Sequence, residues 1–165
     1  MHEALTPRQH HPTDDDIVQI AKQILDLIRS SFAYMESRID PPSSMHRLSA
    51  ADIIKHCSDG EVWSINNPVK ACLFLRLKPD VLYLGRLAVS CESRKRGLAN
   101  SLITLAEQRA QLHKKTALEI ETRIELIENH QFFHHRGFVK TADGTHPGYQ
   151  QPTYVVMQKC LRHKA

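Results

Sequence analysis

Three basic residues and a glycine stand together in Ser93-Arg94-Lys95-Arg96-Gly97-Leu98-Ala99, between a stretch that reads as a strand and one that reads as a helix. The start of a helix leaves its first amides without intrahelical acceptors and carries the positive end of the helix dipole. A glycine there lets backbone come close to a ligand. Together these features suit an anion such as a diphosphate. The run has no Gly-Lys-Ser/Thr ending and no second and third spaced glycine, so it is neither a triphosphate P-loop nor a dinucleotide turn. A solvated basic turn in which Gly97 only breaks the chain fits the same residues.

Other residues capable of chemistry are fewer. Glu119 and Glu121 alternate along a stretch that reads as a strand, so both point to one side, where either can take a proton directly or through water. They can equally face solvent or pair with Arg123. Cys57, Cys72, Cys91 and Cys160 are far apart and form no paired motif, which fits buried free thiols. The pairs His10-His11 and His134-His135 lack the spacing that places two ligands on one helix face, so no metal site is expected. The net charge of +4 is too dispersed to imply nucleic acid by itself. No apolar run approaches the roughly 20 residues that cross a bilayer, and Met1-His2-Glu3 opens no secretory signal. These readings predict a soluble, cytoplasmic protein.

The elements that must position these residues follow from periodicity. With 165 residues, one domain spanning 1–165 is expected. Residues 1–12 are an arm or a weak edge strand. Thr13 reads as an N-cap, with Asp16 in capping-box position. Ile17, Ile20, Ala21, Ile24, Leu25 and Ile28 then recur at helical spacing toward Phe32 and Tyr34. Asp40-Pro41-Pro42-Ser43-Ser44 must be a turn or rigid loop, and Ser49 caps a second helix through about Cys57. Three strands, Glu61 to Ile65, Val69 to Leu77 and Val81 to Ser90, form an antiparallel meander. A helix to about His113, a strand from Ala117 to Ile124, a helix near Glu128 to Arg136, and strands from Gly137 and over Tyr154 to Leu161 complete the chain. The fold class is therefore α/β, a mixed sheet with helices on its faces.

Leu87-Ala88-Val89 precedes the basic turn, which reads Arg94-x-x-Gly97-x-Ala99, and Leu118-Glu119-Ile120-Glu121-Thr122-Arg123 and Asn129-His130-Gln131-Phe132-Phe133 leading to Arg136-Gly137-Phe138 follow it. On these residues rests a resemblance to the GNAT superfamily of N-acetyltransferases. It spans about Tyr83 to Tyr154. It implies acetyl-CoA as cosubstrate and a fold whose fourth and fifth strands splay apart. The pantetheine arm would pair with Leu87, Ala88 and Val89. The amides of Arg96, Gly97, Leu98 and Ala99 would hold the pyrophosphate, with Arg94 and Lys95 beside it, and Asn129 and Phe133 would border the arm. It also implies direct transfer of the acetyl group to a neutral amine through an oxyanion that backbone donors near Val89 can stabilise.

Two departures from the family pattern bear on catalysis. Phe133 occupies the place of a tyrosine that protonates the departing thiolate in many members, which leaves Tyr154 or Tyr149 as substitute acids and Glu121 as base. The family's asparagine falls at Leu126 by spacing rather than at Asn129. A small amine or a peptide N-terminus would be the acceptor, bordered by Phe32, Tyr34, Asp40, Ser43, Trp63, His146 and Tyr149, and an exposed final strand could pair in a homodimer. A non-catalytic CoA-binding sensor and an RNA- or ribosome-associated protein remain alternatives, the first because Phe133 has no proton to give.

Overall fold

The computed structural model describes residues 5–162. A short strand β1 (Pro7–His10) leads to helix α1 (Ile17–Phe32), a 3-10 turn over Ala33–Met35, and helix α2 (Ala50–Asp59). Strands β2 (Glu61–Ile65), β3 (Ala71–Leu77) and β4 (Val81–Val89) follow. Helix α3 (Leu98–Leu112), strand β5 (Ala117–Arg123), helix α4 (Ile127–His134) and strands β6 (Val139–Gly144) and β7 (Tyr154–Cys160) close the chain.

The apolar stripe of α1 is buried as its spacing requires: Ile17, Ile20, Ala21, Ile24, Leu25 and Ile28 all face the core. Its start differs from expectation. Asp16, not Thr13, is the N-cap, and no side chain caps the helix. The acidic run is engaged elsewhere. Arg8 of β1 donates to both oxygens of Asp16 at 2.8 Å, and the Asp14 carboxylate accepts from the His11 amide at 2.9 Å. The carboxylates thus pin the edge strand to the helix instead of closing a capping box. At α2 the expectation holds: Ser49 accepts from the Asp52 amide while Asp52 accepts from the Ser49 amide.

The seven strands form one sheet in the order β1-β2-β3-β4-β5-β7-β6, antiparallel except where β4 meets β5. The meander of β2, β3 and β4 is as predicted. Strand β3 begins at Ala71 rather than Val69, because the Val69 amide is taken by Gln23 of α1. Strand β7 is interior, paired on both sides, so the final strand presents no edge for a partner. Strand β6 is the edge instead, because the chain runs out and returns between it and β5.

Alternation along the strands sends side chains to two cores. Leu73, Leu75, Leu82, Leu84, Leu118, Ile120, Val155 and Met157 pack against α3. Val62, Cys72, Phe74 and Ala88 pack against α1 and α2. Cys57 and Cys72 are buried free thiols, but Cys91 and Cys160 are exposed, one in a surface turn and one at the end of β7. Helices α1 and α2 cover only the first half of the sheet, and the same face of β5 and β7 is left open beside them.

Candidate functional site

The sheet parts at its centre. Strands β4 and β5 pair over only three rungs, Val81 with Ala117, Leu82 with Leu118 and Tyr83 with Glu119. Beyond them β4 bends away at a bulge, where Arg86 and Leu87 together stand opposite Leu73 and the β3 register shifts. Arg86 takes a left-handed backbone with φ of 49° to make the extra residue fit. Beyond the bulge, Ala88 and Val89 remain paired to β3, and from Leu87 to Val89 the strand has lost β5, so its other backbone edge is free.

That edge forms one wall of a cleft of about 840 Å³, a size typical of small-ligand sites. Its floor is the N-terminus of α3. Gly97 is the N-cap at φ of 76°, with no capping side chain. The first backbone bond of the helix runs from the Ser101 amide to the Gly97 carbonyl, so Leu98, Ala99 and Asn100 present amides with no backbone acceptor. Arg94 and Lys95 border these donors. Unlike α2, where the Ser49 hydroxyl accepts from the Asp52 amide, α3 has no side-chain cap over its first amides. A row of free N–H groups, the helix dipole and two cations form the donor set that a diphosphate requires. Arg96 is exposed and its side chain does not line the cleft.

The opposite wall comes from α4. Asn129, Phe132, Phe133 and Arg136 line it, so Asn129 reaches the cleft although spacing set the comparable position at Leu126. Leu126 is 1% exposed and packs with Met35 and Ile39. Phe133 stands edge-on to Phe132 and Phe138, making this wall apolar. Arg136 stacks over Phe132 and donates to Asn100 at 2.7 Å, tying α4 to the first turn of α3. Ser31, Phe32 and Tyr34 close the remaining side, and Tyr34 is the one tyrosine lining the cleft among the described residues. Glu128, also at its rim, pairs with Arg38, whose guanidinium holds the carboxyl down to about 2.

Glu121 and Tyr154 do not line this cleft. They lie on the open face of β5 and β7, where Glu119 is opposite Gln158, Glu121 opposite Val156 and Arg123 opposite Tyr154. The two glutamates differ sharply. Burial raises the Glu119 carboxyl, but hydrogen bonds from Lys78 at 2.5 Å and Gln158 at 2.8 Å outweigh it and hold the group below the usual range. Glu121 has no hydrogen-bond partner among the described residues. Desolvation raises its carboxyl, attraction to Lys78 opposes this only partly, and the charge on Glu119 adds to the rise. Of the two, the raised carboxyl, on a residue exposed to solvent, is the one suited to exchange a proton. Neither pairs with Arg123, whose guanidinium donates to the Pro42 carbonyl at 3.2 Å.

The other predicted border residues separate into two groups. Tyr149 donates to Asp40 at 2.5 Å, and Arg123 holds Pro42, so the loop after α1 and the β6–β7 connection meet across the open face. His146 lies edge-on to Tyr154 within that connection. Trp63, in contrast, faces α3, where its indole donates to Glu61 at 2.8 Å and its ring stacks under Arg109. It faces the other core because β2 alternates and Trp63 shares its side with Ile65. Residues to which the sequence assigned no role in the site are Ser31, Asn100, Arg136 and the bulge residue Arg86. Only Arg86 had a signal, the isolated Gly85 inside a strand pattern.

Residues 22–138 match the model of the acetyltransferase (GNAT) family. No curated protein sequence matches the chain. Among solved structures, the PaiA N-acetyltransferase from Thermoplasma acidophilum in complex with coenzyme A superposes with a TM-score of 0.76 at 12% identity, covering 96% of this chain and 100% of that one. A GNAT family acetyltransferase from Elizabethkingia anophelis with acetyl-CoA bound gives 0.65 at 16% identity, covering 96% and 99%. Ard1 from Thermoplasma volcanium gives 0.66 at 17% identity, covering 98% and 100%. At such identities these likenesses establish the shared fold.

Proposed function

Since the chain belongs to the acetyltransferase (GNAT) family, we propose that it is an N-acetyltransferase that uses acetyl-CoA and acylates a primary amine by direct transfer. The observation that carries this reading is the pairing of two free backbone edges in one cleft. The open amides at the start of α3 suit a diphosphate, and the unpaired edge of Leu87, Ala88 and Val89 suits an amide-bearing arm that continues from it. The cofactors named for the Thermoplasma acidophilum and Elizabethkingia anophelis proteins support the same assignment.

When bound, the cosubstrate supplies an acyl group activated as a thioester. The chain's residues do the rest. Leu98, Ala99 and Asn100 donate amides to the diphosphate, with Arg94 and Lys95 adding charge and Gly97 letting the backbone approach. Arg96 contributes through its backbone. Asn129 and Phe133 border the arm from α4 and exclude water from it. An amine attacks only when neutral, and Glu121, with its raised carboxyl and no ion-pair partner, accepts the proton on the open face. The nitrogen then bonds the acyl carbon as the carbon–sulfur bond breaks, and the thiolate takes up a proton.

Phe133 cannot supply that proton. Tyr34 lines the cleft, whereas Tyr154 lies on the open face two rungs from Glu121. Tyr34→Phe is expected to lower kcat by about tenfold to a hundredfold, within the range for loss of a positioned proton donor. Tyr154→Phe is expected to stay within about threefold, less than about 0.7 kcal/mol in the barrier. Steady-state thiol release measures both. The reverse order would move the role to Tyr154, in line with its position beside the acceptor face.

The function itself is tested by incubating the purified protein with acetyl-CoA and a panel of primary amines, reading free thiol and the acylated product by mass. Product from at least one amine is expected. Tight CoA binding with no product from any amine would favour the reading as a CoA sensor, which the proton-free Phe133 wall permits. Salt-dependent RNA binding without CoA binding would overturn both.

A further inference from the structure

A second cavity, of about 470 Å³, lies on the same face of the sheet as Glu121, between α2 and strands β3 and β4. Its walls carry three cations, Lys55, Arg76 and Arg86, none of which forms an ion pair among the described residues, and two carboxylates, Asp52 and Asp59. Asp52, the acidic side chain nearest in sequence to Lys55, has its carboxylate committed to the amide and hydroxyl of Ser49. Arg86 is the most constrained of the three. It sits on the β4 bulge with a left-handed backbone, it is partly buried, and one of its terminal nitrogens donates to the Ser44 hydroxyl at 3.2 Å. No other side-chain hydrogen bond of its guanidinium occurs among the described residues. A guanidinium drawn out of water without a hydrogen-bonded carboxylate is costly, and burial depresses this one, the attraction of Asp52 opposing that only in part.

The cavity is joined to the cleft through β4. Arg86 lines the second cavity and Leu87, the next residue, lines the first. Tyr83 also lines the second cavity, its register partner on β5 is Glu119, and Glu121 follows on the same face. A ligand held on Arg86 is thus one residue from the strand edge assigned to the thioester arm, on the side where a proton acceptor waits. Its volume takes a ligand of amino-acid to short-peptide size. The planar fork of an arginine matches the two oxygens of a carboxylate.

We propose that this second cavity is the acceptor pocket and that it selects an amine carrying a carboxylate, which Arg86 holds. The inference rests on the transferase reading and adds the class of acceptor to it.

The test uses the twenty L-amino acids, their C-terminal amides and phosphoethanolamine, with acetyl-CoA, on the parent protein and Arg86→Gln. Glutamine keeps a donor for Ser44 and removes the charge. Amidation lowers the basicity of the α-amine, so intrinsic reactivity at neutral pH favours the amides, and a preference for the free acids must come from the pocket. The expected result is a KM for the best amino acid at least about tenfold below that of its amide, and a comparable rise in that KM in Arg86→Gln with the amide unchanged, as for loss of one charge-assisted contact. Equal use of acid and amide, an equal loss for both in the variant, or preference for phosphoethanolamine would overturn the carboxylate pocket while leaving the transferase reading intact. Calorimetry of the CoA-loaded protein with the same amino acids separates the two readings. Binding that depends on Arg86 without product formation would support the pocket and sink the transfer, and absence of both binding and product would overturn the pocket as well.

Discussion

Gly97→Asp is expected to weaken acetyl-CoA binding by at least about a hundredfold, some 2.7 kcal/mol, while leaving the protein folded with a midpoint of unfolding close to the parent's. Three features point the same way. Gly97 is the uncapped N-cap of α3, and aspartate is among the best residues at that position, so its carboxylate would accept from the amides now left free. The charge would also stand where the diphosphate is to sit, at the positive end of the helix. A Cβ on Gly97 meets no atom within 4 Å, so the fold is not disturbed by contact. The positive φ of 76° costs a side chain about 1–2 kcal/mol, which the new cap offsets. Gly97→Ala, with the strain but neither charge nor cap, should lose less affinity and more stability. Isothermal titration with acetyl-CoA and thermal unfolding of both variants read the pair. An aspartate variant that binds within threefold of the parent would remove the diphosphate from α3.

Glu121→Gln is expected to lower kcat by about two to four orders of magnitude, the range for removing a general base, with acetyl-CoA affinity unchanged because the residue lies outside the cleft. The pH profile provides the more specific reading. A base works in its deprotonated form, and the Glu121 carboxyl is held above the ordinary glutamate range, chiefly by desolvation. Activity of the parent should therefore fall on the acid side as pH drops through that raised value. The limb should vanish in the glutamine variant. Glu119, held low by Lys78 and Gln158, stays ionised throughout and cannot produce such a limb at the same pH. A limb that survives in Glu121→Gln would assign the base elsewhere on the open face.

Much of the fold was legible because periodicity reports burial directly. The stripe of α1 had one arrangement that hides its apolar side chains, the unbroken apolar run of β3 required cover on both faces, and Ser49 with Asp52 announced the start of α2. The start of α1 was not legible in the same way. Thr13 and Asp16 satisfy the local rule for a cap, but Arg8, distant by half a strand and a turn, competes for Asp16 and wins it. The interior place of β7 escaped notice for a related reason, since strand order is set by which edge a returning chain meets and the residues of β7 would suit an edge equally well.

The same division runs through the site. Residues 93–99 suited an anion-binding turn by type and spacing, as they also suited a solvated basic turn, because a helix start and a glycine make their chemistry from backbone that any sequence there shares. The sequence by itself therefore determined the elements that suit a cofactor: the turn, the strand before it, and the meander and crossover that bring them together. Only the tertiary structure supplied the arrangement behind the proposed acceptor end. It distinguished Glu121 from Glu119 by the partners each finds on neighbouring strands, turned Trp63 away from the open face, and put Tyr34 in the cleft where Phe133 has no proton to give. It also placed Arg86, which has no ion pair among the described residues, beside the free edge of β4 through a bulge. Backbone chemistry is local and can be read along a chain, whereas the proton affinity and charge balance of a side chain depend on neighbours that only folding supplies.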